Sequence, residues 1–194
     1  MSAATQPAKD YSSMYGLNPP HSEVVAAVQT VPAGKALDLG SGSGRNALYL
    51  SQLGFEVTAL DHNPGAIGTL QSIVEREQID NLQARVYDMH EAQLGEQYDF
   101  IVCTVTLMFL DPLRLDAVVA DMQHSTRPGG HNLIVAAMST AAHPCPAPFP
   151  APLAENQLRE MYAGWELLKY NEDLGSLHSG AQMQFATMLA RKPL

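Results

Sequence analysis

The sequence has few cysteines, few basic residues and no long apolar run. Its 194 residues include only Cys103 and Cys145, too few for a disulfide framework in a chain of this size. Eleven lysines and arginines stand against 20 acidic residues, and the net charge of −9 argues against a nucleic-acid-binding surface, which needs a basic stripe. The longest mainly apolar run, residues 100–110, is too short to span a bilayer. We therefore expect no nucleic-acid partner and no membrane-spanning segment.

The signals of several other classes of protein are missing as well. Residues 1–15 contain no apolar h-region, so no secretory signal is visible, and we expect a cytoplasmic location. The seven histidines show neither an i, i+4 pair nor the cysteine–histidine spacing of a zinc site, and we expect no bound metal. No G-x-S-x-G sequence of a serine hydrolase occurs. A small or neutral substrate suits the acidic chain best, and both a monomer and a homodimer remain open.

Strand and helix patterns alternate along most of the chain. Such alternation predicts a parallel sheet with helices on both faces, built as one domain from residues 19–194. The predicted strands are residues 35–39, 55–60, 82–86, 100–104, 132–137, 165–170 and 184–190. The predicted helices are residues 21–28, with Ser22 as N-cap, 45–53, 66–78, 113–125 and 153–162. In this interpretation residues 1–18 are an N-terminal segment that is mobile without ligand, and residues 127–130 form a turn.

A glycine-rich loop follows the first predicted strand and precedes a helix. It contains Gly40, Gly42 and Gly44, at every second position, and these glycines remove the Cβ atoms that would keep a ligand off the backbone. The helix that follows presents unpaired N–H groups toward such a ligand. Asp61 ends the next strand, where its carboxylate can accept hydrogen bonds from both hydroxyls of a ribose. The combination predicts a site for a cofactor that contains a nucleoside.

The spacing of the glycines favours one class of cofactor over another. A dinucleotide fingerprint reads G-x-G-x-x-G, but three positions after Gly42 this chain has Arg45. Asp38 precedes the first glycine, where an anionic pyrophosphate would be unfavourable and a cationic sulfonium amino acid favourable. The pattern resembles motif I of the methyltransferases that use S-adenosylmethionine (SAM), with Asp61 at the position of their ribose-binding acid. The alternative is a structural turn in another α/β protein.

Further residues at strand ends complete the predicted cofactor site. Asp88 follows the third strand and reaches the adenine amino group in this interpretation, with Met89 packed on the ring; the alternative for Asp88 is a helix cap. Residues 104–109 line the adenine and methionine portions or belong to the core. Arg45 and Asn46 open the helix after the glycine loop and face the cofactor or an anionic substrate. The full predicted set for the cofactor is Asp38, Gly40, Ser41, Gly42, Arg45, Asn46, Asp61, His62, Asp88, Met89 and Thr104.

A proline-rich segment at residues 139–152 interrupts the alternation. Five of the thirteen prolines occupy every second position from Pro144 to Pro152, so the segment cannot supply a ladder of N–H donors. We expect an extended surface loop. It is either a rigid linker between sheet elements or a wall or lid over the ligand, because loops beyond the carboxyl ends of strands form ligand sites in this architecture.

Beyond the cofactor loop, the chain resembles the tellurite methyltransferases, the TehB tellurite-resistance proteins of bacteria. The resemblance runs from about residue 15 to residue 192 and includes H-S-E-V at 21–24, L-D-L-G at 37–40, G-R-N at 44–46 and L-M-F-L at 107–110. Further stretches are N-L-I-V-A-A-M at 132–138, K-Y-N-E-D at 169–173 and F-A-T-M-L-A-R at 185–191. It implies a Rossmann-like SAM methyltransferase fold, with a mainly parallel seven-stranded sheet that an antiparallel strand pair closes.

The resemblance also implies an activity and a substrate site. The implied reaction transfers the methyl group of SAM to the chalcogen of tellurite, or of selenium oxyanions, as detoxification. His178 matches a family histidine near the substrate, and with Arg45 it is a candidate for holding the oxyanion; the alternative for His178 is a hairpin residue that faces solvent. Where the family has arginines, this chain has Ser179 and a shorter hairpin, so the source of the balancing charge is open. Two other functions also remain open: methyl transfer to a thiol or halide, and SAM binding without turnover.

Overall fold

A seven-stranded sheet runs through the centre of the molecule. The structure is a computed structural model, and it describes residues 9–176 and 182–194. The strands are β1 Lys35–Leu39, β2 Glu56–Asp61, β3 Leu82–Val86, β4 Tyr98–Thr104, β5 Thr126–Ala137, β6 Glu166–Ser176 and β7 Gln182–Arg191. Their order in the sheet is β3-β2-β1-β4-β5-β7-β6; the first five are parallel, and β7 is antiparallel to both of its neighbours. The predicted mainly parallel sheet with a closing antiparallel pair is confirmed.

Most helices lie where the sequence pattern predicts them. They are α1 Tyr11–Tyr15, α2 Ser22–Ala27, α3 Arg45–Gln52, α4 Pro64–Glu77, α5 Leu115–His124 and α6 Gln157–Met161, with 3₁₀ turns at Met89–Glu91, Leu107–Phe109 and Pro112–Arg114. α1 lies inside the segment predicted to be mobile, where Asp10 accepts a hydrogen bond from the N–H of Ser13 at 3.2 Å and Tyr11 is buried. The mobility of residues 1–18 without ligand stays a prediction. Among the described residues, none of the helices combines the length and the apolar composition that a bilayer crossing needs.

Helices cover both faces of the sheet, because the central parallel strands bury both of their sides. Along β1, Ala36 packs into one apolar cluster, whereas Leu37 and Leu39 pack into the other. Side chains of α2, α3 and α4 belong to the first cluster, and side chains of α5 and α6 belong to the second. β4 is buried along nearly its whole length. The middle of the sheet is therefore a rigid platform for the loops at its ends.

Three local predictions are wrong. The N-cap of α2 is His21, whose Nδ1 accepts a hydrogen bond from the N–H of Glu23 at 3.2 Å, and Ser22 is already the first helical residue. The turn predicted at residues 127–130 is part of β5, because a shift of register against β4 absorbs Gly129 at φ +75°. α6 begins four residues later than predicted, since Leu153 still forms a β-bridge, with Met138.

The carboxyl ends of β1, β2 and β4 meet at one edge of the sheet. Gly40 follows β1, Asp61 ends β2 and Thr104 ends β4. The N–H groups of Gly40 and Ser41 donate to the carbonyl of Leu60, at 2.7 and 3.0 Å, and these bonds tie the glycine loop to the neighbouring strand. Parallel sheets of this kind bind ligands at this edge, at the point where the strand order reverses, which here lies between β1 and β4.

Candidate functional site

Two cavities adjoin at this edge of the sheet. The larger, of about 740 Å³, is lined by Gly40, Gly42, Asp61, His62, Val86, Asp88, Met89, His90, Val105, Thr106, Phe109 and Leu110. The smaller, of about 470 Å³, is lined by Gly16, Leu17, Asn18, Gly40, Ser41, Gly42, Ser43, Arg45, Asn46, Thr104, Val105 and Thr106. The two share Gly40, Gly42, Val105 and Thr106, so an elongated molecule that crosses the glycine loop can occupy both.

The glycine loop makes room for a ligand at Gly42. Gly40 and Gly42 have φ values of +77° and +53°, in the left-handed region where a side chain is unfavourable. A Cβ atom on Gly40 would lie 2.3 Å from the side chain of Thr106, so this glycine serves the packing of the protein itself. A Cβ atom on Gly42 would meet no protein atom within 4 Å and would project into open space. Gly42 is therefore the position where the backbone is left bare for a ligand.

Asp61 stands on the wall of the larger cavity and holds the glycine loop. Its Oδ2 accepts a hydrogen bond from the N–H of Gly42, and its Oδ1 accepts one from the N–H of Asn63, both at 2.8 Å. Each carboxylate oxygen keeps a lone pair for a further donor. The imidazole of His62 is 81% exposed beside it, with Nδ1 3.5 Å from Oδ1 of Asp61. The predicted ribose-binding acid thus has the fixed position and the free acceptor capacity that the role requires.

Asp38 lies beneath the loop and lines neither cavity. It is 1% exposed, and its Oδ2 accepts a hydrogen bond from the N–H of Ala47, in the first turn of α3, at 3.0 Å. Its Oδ1 has no hydrogen-bond partner in the part of the chain that the structure describes. Burial raises the pKa of Asp38 to about 7, although the bond from Ala47 and the charge of Arg45 act in the opposite direction. Asp38 therefore positions the start of α3, and its predicted contact with a cationic cofactor stays a prediction.

A buried chain of polar groups forms the floor of the smaller cavity. Nδ2 of Asn46 donates to Oγ1 of Thr104 at 3.1 Å, and Oδ1 of Asn46 accepts from the N–H of His21 at 2.9 Å. Burial, with the nearby charge of Arg45, lowers the pKa of His21, so its ring is neutral near pH 7. These contacts hold the backbone of His21 against Asn46, shortly after residues 16–18, which line one side of the cavity. His21 supports the site from behind and lines neither cavity.

Arg45 brings positive charge into the smaller cavity. It is the first residue of α3, and within the described chain it is the only lysine or arginine that lines either cavity. No hydrogen bond or ion pair joins its side chain to another described residue. In a protein with a net charge of −9, this guanidinium is the group that can offset the charge of a bound anion.

Asp88 and Met89 form the far wall of the larger cavity. Asp88 is the N-cap of the turn Met89–Glu91, and its Oδ1 accepts a hydrogen bond from the N–H of His90 at 3.0 Å. That bond, followed by the contact with the His90 ring, holds the pKa of Asp88 below its usual value. The cap and the cavity-lining position occur together, so the two interpretations of Asp88 do not exclude each other. Met89 is 9% exposed and presents an apolar surface to the cavity.

Val105, Thr106, Phe109 and Leu110 line the larger cavity, and the first three belong to the stretch 104–109 that is predicted to surround the cofactor or belong to the core. Val105 adopts φ +59°, a strained conformation for a β-branched residue, at the junction of the two cavities. Phe109 is 59% exposed on the larger cavity, and its ring meets that of Phe149 edge to face at 4.9 Å. Phe149 belongs to the proline-rich segment, which is therefore packed against a wall of the site. The segment contains neither a helix nor a strand, as predicted.

His178, which is predicted to lie near the substrate, and its neighbour Ser179 lie outside the described residues. In the described ranges, 9–176 and 182–194, no three side chains of histidine, cysteine, aspartate or glutamate are grouped so that they could hold a metal ion.

Comparisons with known proteins identify relatives over almost the whole chain. Residues 4–189 match the family model described as "Tellurite resistance protein TehB". The "Probable S-adenosyl-L-methionine-dependent methyltransferase TehB" of Haemophilus influenzae (strain 10810) is 47% identical over 188 residues, 94% of this chain and 65% of that protein. A protein of Eikenella corrodens named "Hemagglutinin 1" is 47% identical over 189 residues, 94% of this chain and 63% of that protein.

A solved structure of the same kind supports the fold. The structure described as "Crystal Structure of TehB from Haemophilus influenzae" superposes with a TM-score of 0.90 at 47% identity and covers 94% of this chain and 65% of that one. The chain thus spans slightly under two thirds of the length of the curated relatives that it matches.

Proposed function

The chain belongs to the family of the tellurite resistance protein TehB, and on that premise we propose that it is a SAM-dependent methyltransferase that methylates tellurite and selenium oxyanions in their detoxification. The observation that carries the proposal is the bare backbone at Gly42, between a cavity with a carboxylate at the end of β2 and a cavity with the guanidinium of Arg45, which has no bonded partner among the described residues. The carboxylate is complementary to the hydroxyl groups of a nucleoside, and the guanidinium is complementary to an anion.

The larger cavity fits the adenosine portion of SAM. Asp61 accepts hydrogen bonds from the ribose hydroxyls with the lone pairs that Gly42 and Asn63 leave free. Asp88 accepts one from the adenine amino group, and the ring packs between Met89 and the exposed face of Phe109. Since the carboxylates are already fixed by backbone N–H groups, little conformational entropy is lost when the nucleoside binds.

The smaller cavity fits the methionine portion and the acceptor. Ser41 and Asn46 line it with polar groups, and Gly42 at the junction lets the chain of the cofactor cross the loop. Arg45 then faces the oxyanion across the transferred methyl group, and His178, which lies outside the described residues, is the second candidate for this role. The two groups replace the arginines of the family as the source of positive charge.

The reaction needs alignment and charge balance more than acid–base chemistry. SAM supplies a methyl group that its sulfonium has already activated. A lone pair of Te(IV) forms the new bond to the methyl carbon while the carbon–sulfur bond breaks and leaves its electron pair on sulfur, which yields S-adenosylhomocysteine (SAH). Arg45 and His178 hold the oxyanion in line with the breaking bond, and alignment of this kind accounts for much of the acceleration in such displacements.

Two segments are placed to enclose the reactants. Gly16, Leu17 and Asn18 line the smaller cavity, and the loop 139–152 packs on the wall of the larger one through Phe149. We expect both to become more protected from hydrogen exchange when SAH is added, because closure excludes water from the reacting groups. Equal protection with and without SAH would mean that the loop is a rigid linker.

An acceptor panel tests the proposed function. The purified protein is incubated with SAM and with tellurite, selenite, a small thiol or iodide, and the release of SAH is followed. Release that depends on tellurite or selenite supports the proposal, whereas release only with the thiol or the halide assigns another methyltransferase activity. SAH binding without release in any mixture would identify a binding protein without turnover.

A further inference from the structure

One histidine of the larger cavity holds two of its walls together. His90 belongs to the 3₁₀ turn after β3, and its Nδ1 lies 2.7 Å from Oδ1 of Asp88 in the same turn. Its Nε2 accepts a hydrogen bond from the N–H of Asp111, in the segment after β4, at 3.0 Å. The first segment contributes Met89 to the cavity, and the second contributes Phe109 and Leu110. The imidazole of His90 is thus a bridge between the two sides of the proposed adenine site.

The bridge requires the neutral ring. Because the N–H of Asp111 donates to Nε2, that nitrogen carries no hydrogen, and the single ring hydrogen is on Nδ1, where it donates to Asp88. A second proton would bind to Nε2 and face the N–H of Asp111, donor against donor. Protonation therefore breaks the bond to the segment after β4 while it keeps the bond to Asp88, whose negative charge the imidazolium then balances.

The surroundings of the ring do not replace this bond. Nε and Nη2 of Arg114 donate to the carbonyl of His90, at 3.0 and 2.5 Å, so the backbone of the turn is held even when the ring is charged. The charged and titratable groups around the ring are Tyr87, Asp88 and Glu91 on its own segment, Asp111 and Arg114 on the next, Asp121 on α5 and His62 across the cavity. Of the side chains that the structure describes, Asp88 alone bonds to the ring. The change on protonation is therefore confined to the wall formed by Phe109 and Leu110.

We propose that His90 is a positioning residue of the cofactor site, whose neutral form joins the two walls in the arrangement that binds the nucleoside, so that acidification weakens cofactor binding. The inference rests on the proposed function, because the ligand that it invokes is SAM or SAH. It assigns no catalytic step to His90. Its effect should appear in the affinity for the cofactor, and turnover at saturating SAM should change less.

The expected effect is the loss of one neutral hydrogen bond, between Nε2 of His90 and the N–H of Asp111, which joins two walls of the cavity. The loss of one such bond corresponds to a few-fold to about tenfold change in affinity. We therefore expect SAH to bind a few-fold to about tenfold more weakly at pH 5.5 than at pH 8. The same factor should appear in KM for SAM.

Calorimetric titration with SAH between pH 5.5 and pH 8 tests the inference on the wild type, His90→Gln and His124→Gln. The glutamine amide offers a donor and an acceptor that do not titrate in this range, so His90→Gln should bind SAH with nearly constant affinity. His124 is exposed on α5, away from both cavities, and its variant should keep the pH dependence of the wild type.

Two results would overturn the role of His90: a wild-type affinity that is constant with pH, or a pH dependence that His90→Gln retains. The second result would assign the proton to another group, such as Asp38 with its pKa of about 7. Absence of SAH binding at pH 8 counts instead against the proposed function. If His90→Gln does not fold, ¹⁵N spectra of the wild-type histidine rings decide, since a hydrogen on Nε2 of His90 in the SAH complex would contradict the bridge.

Discussion

The two cavities of the site are built in different ways. On the walls of the larger one, both carboxylates already accept hydrogen bonds from backbone N–H groups: Asp61 from Gly42 and Asn63, and Asp88 from His90. In the smaller one, the only strongly charged side chain is Arg45, and it bonds to no other side chain; both statements hold for residues 9–176 and 182–194. The larger cavity is preorganised by backbone hydrogen bonds, and the smaller cavity offers a positive charge that a ligand can bind.

This difference separates binding from turnover. A nucleoside that meets fixed acceptors is bound at little cost in conformational entropy, so changes on that side should appear in cofactor affinity. An oxyanion that meets an unpaired guanidinium gains most when charge is redistributed in the transition state, so changes there should appear in turnover. Substitutions on each side can test whether the two effects are separable.

The largest effect is expected at Arg45. Arg45→Gln removes the charge that we propose balances the oxyanion, and tellurite turnover should fall by roughly 10²-fold or more, the range for the loss of one electrostatic group. SAH affinity, measured by calorimetry, should change far less. Arg85→Gln, which removes a half-exposed arginine of β3 that pairs with Glu96, is the control and should turn over normally. Equal losses in turnover and in SAH affinity for Arg45→Gln would place Arg45 on the cofactor side.

His178→Ala should resemble Arg45→Gln: tellurite turnover should fall and SAH affinity should not. A nearby anion favours the protonated imidazole, so the loss of His178 should lower tellurite turnover by perhaps 10²-fold while SAH affinity barely changes. Unchanged turnover would identify His178 as a surface residue and leave the oxyanion to Arg45 and backbone N–H groups.

The next effect is expected at Asp61. Each charge-assisted hydrogen bond that Asp61→Ala removes from the ribose costs about 1.5–3 kcal/mol, or roughly ten- to a hundredfold in SAH affinity. Asp99→Ala is the matched control, because Asp99 also accepts a backbone N–H, that of Lys35 at 2.8 Å, but lies away from both cavities. Both variants should lose thermal stability, and only Asp61→Ala should lose affinity. Unchanged calorimetric affinity in that variant would remove Asp61 from the site.

A smaller effect is expected at Gly42. An alanine at φ +53° costs about 1 kcal/mol of stability, and here its methyl group would also occupy the space proposed for the cofactor. Gly54→Ala shares the positive φ, +85°, and the open surroundings, but lies at the end of α3, away from the two cavities. The two variants should melt alike, and Gly42→Ala alone should bind SAH about tenfold more weakly, which corresponds to about 1.4 kcal/mol. Equal affinities would show that no ligand lies over Gly42.

The smallest effect is expected at Asp38, and it concerns stability. An unfolded aspartate loses its proton near pH 4, whereas burial keeps Asp38 protonated up to about pH 7. Between these values the folded state binds one more proton than the unfolded state, so this group makes the protein less stable as the pH rises. Asp38→Asn cannot ionise, and its melting temperature should fall less between pH 5 and pH 8 than that of the wild type. A parallel decline in both proteins would mean that Asp38 is ionised throughout.

The sequence predicts the features that depend on neighbouring residues and misses those that depend on contacts between distant residues. The strands, the glycine loop and Asp61 follow from short patterns, since alternating periodicity and glycine spacing are properties of neighbouring residues. The conformation of Val105 carries no such signal, because a φ of +59° at a β-branched residue is unfavourable locally and depends on the surrounding fold. The bridge at His90 is invisible for a similar reason: its second partner, Asp111, is 21 positions away along the chain.

Other departures have equally specific causes. α1 is five residues long, too short for a periodic pattern, and its stability comes from the burial of Tyr11 and the cap by Asp10. Asp38 is buried because it lies inside β1, a central strand of the sheet, and the glycine pattern that suggests a ligand contact carries no signal of that burial. Its position under the loop depends on the N–H of Ala47, which the fold brings to it.

The most direct test of the account is a crystal structure of this chain with bound SAH. The account predicts the ribose within hydrogen-bond distance of Asp61, the adenine between Met89 and Phe109, and the homocysteine chain across Gly42 into the smaller cavity, with Arg45 free to face an acceptor. Two results would contradict the division of the site into a cofactor side and an acceptor side. One is SAH bound outside these two cavities, and the other is an ion pair between Arg45 and the carboxylate of SAH.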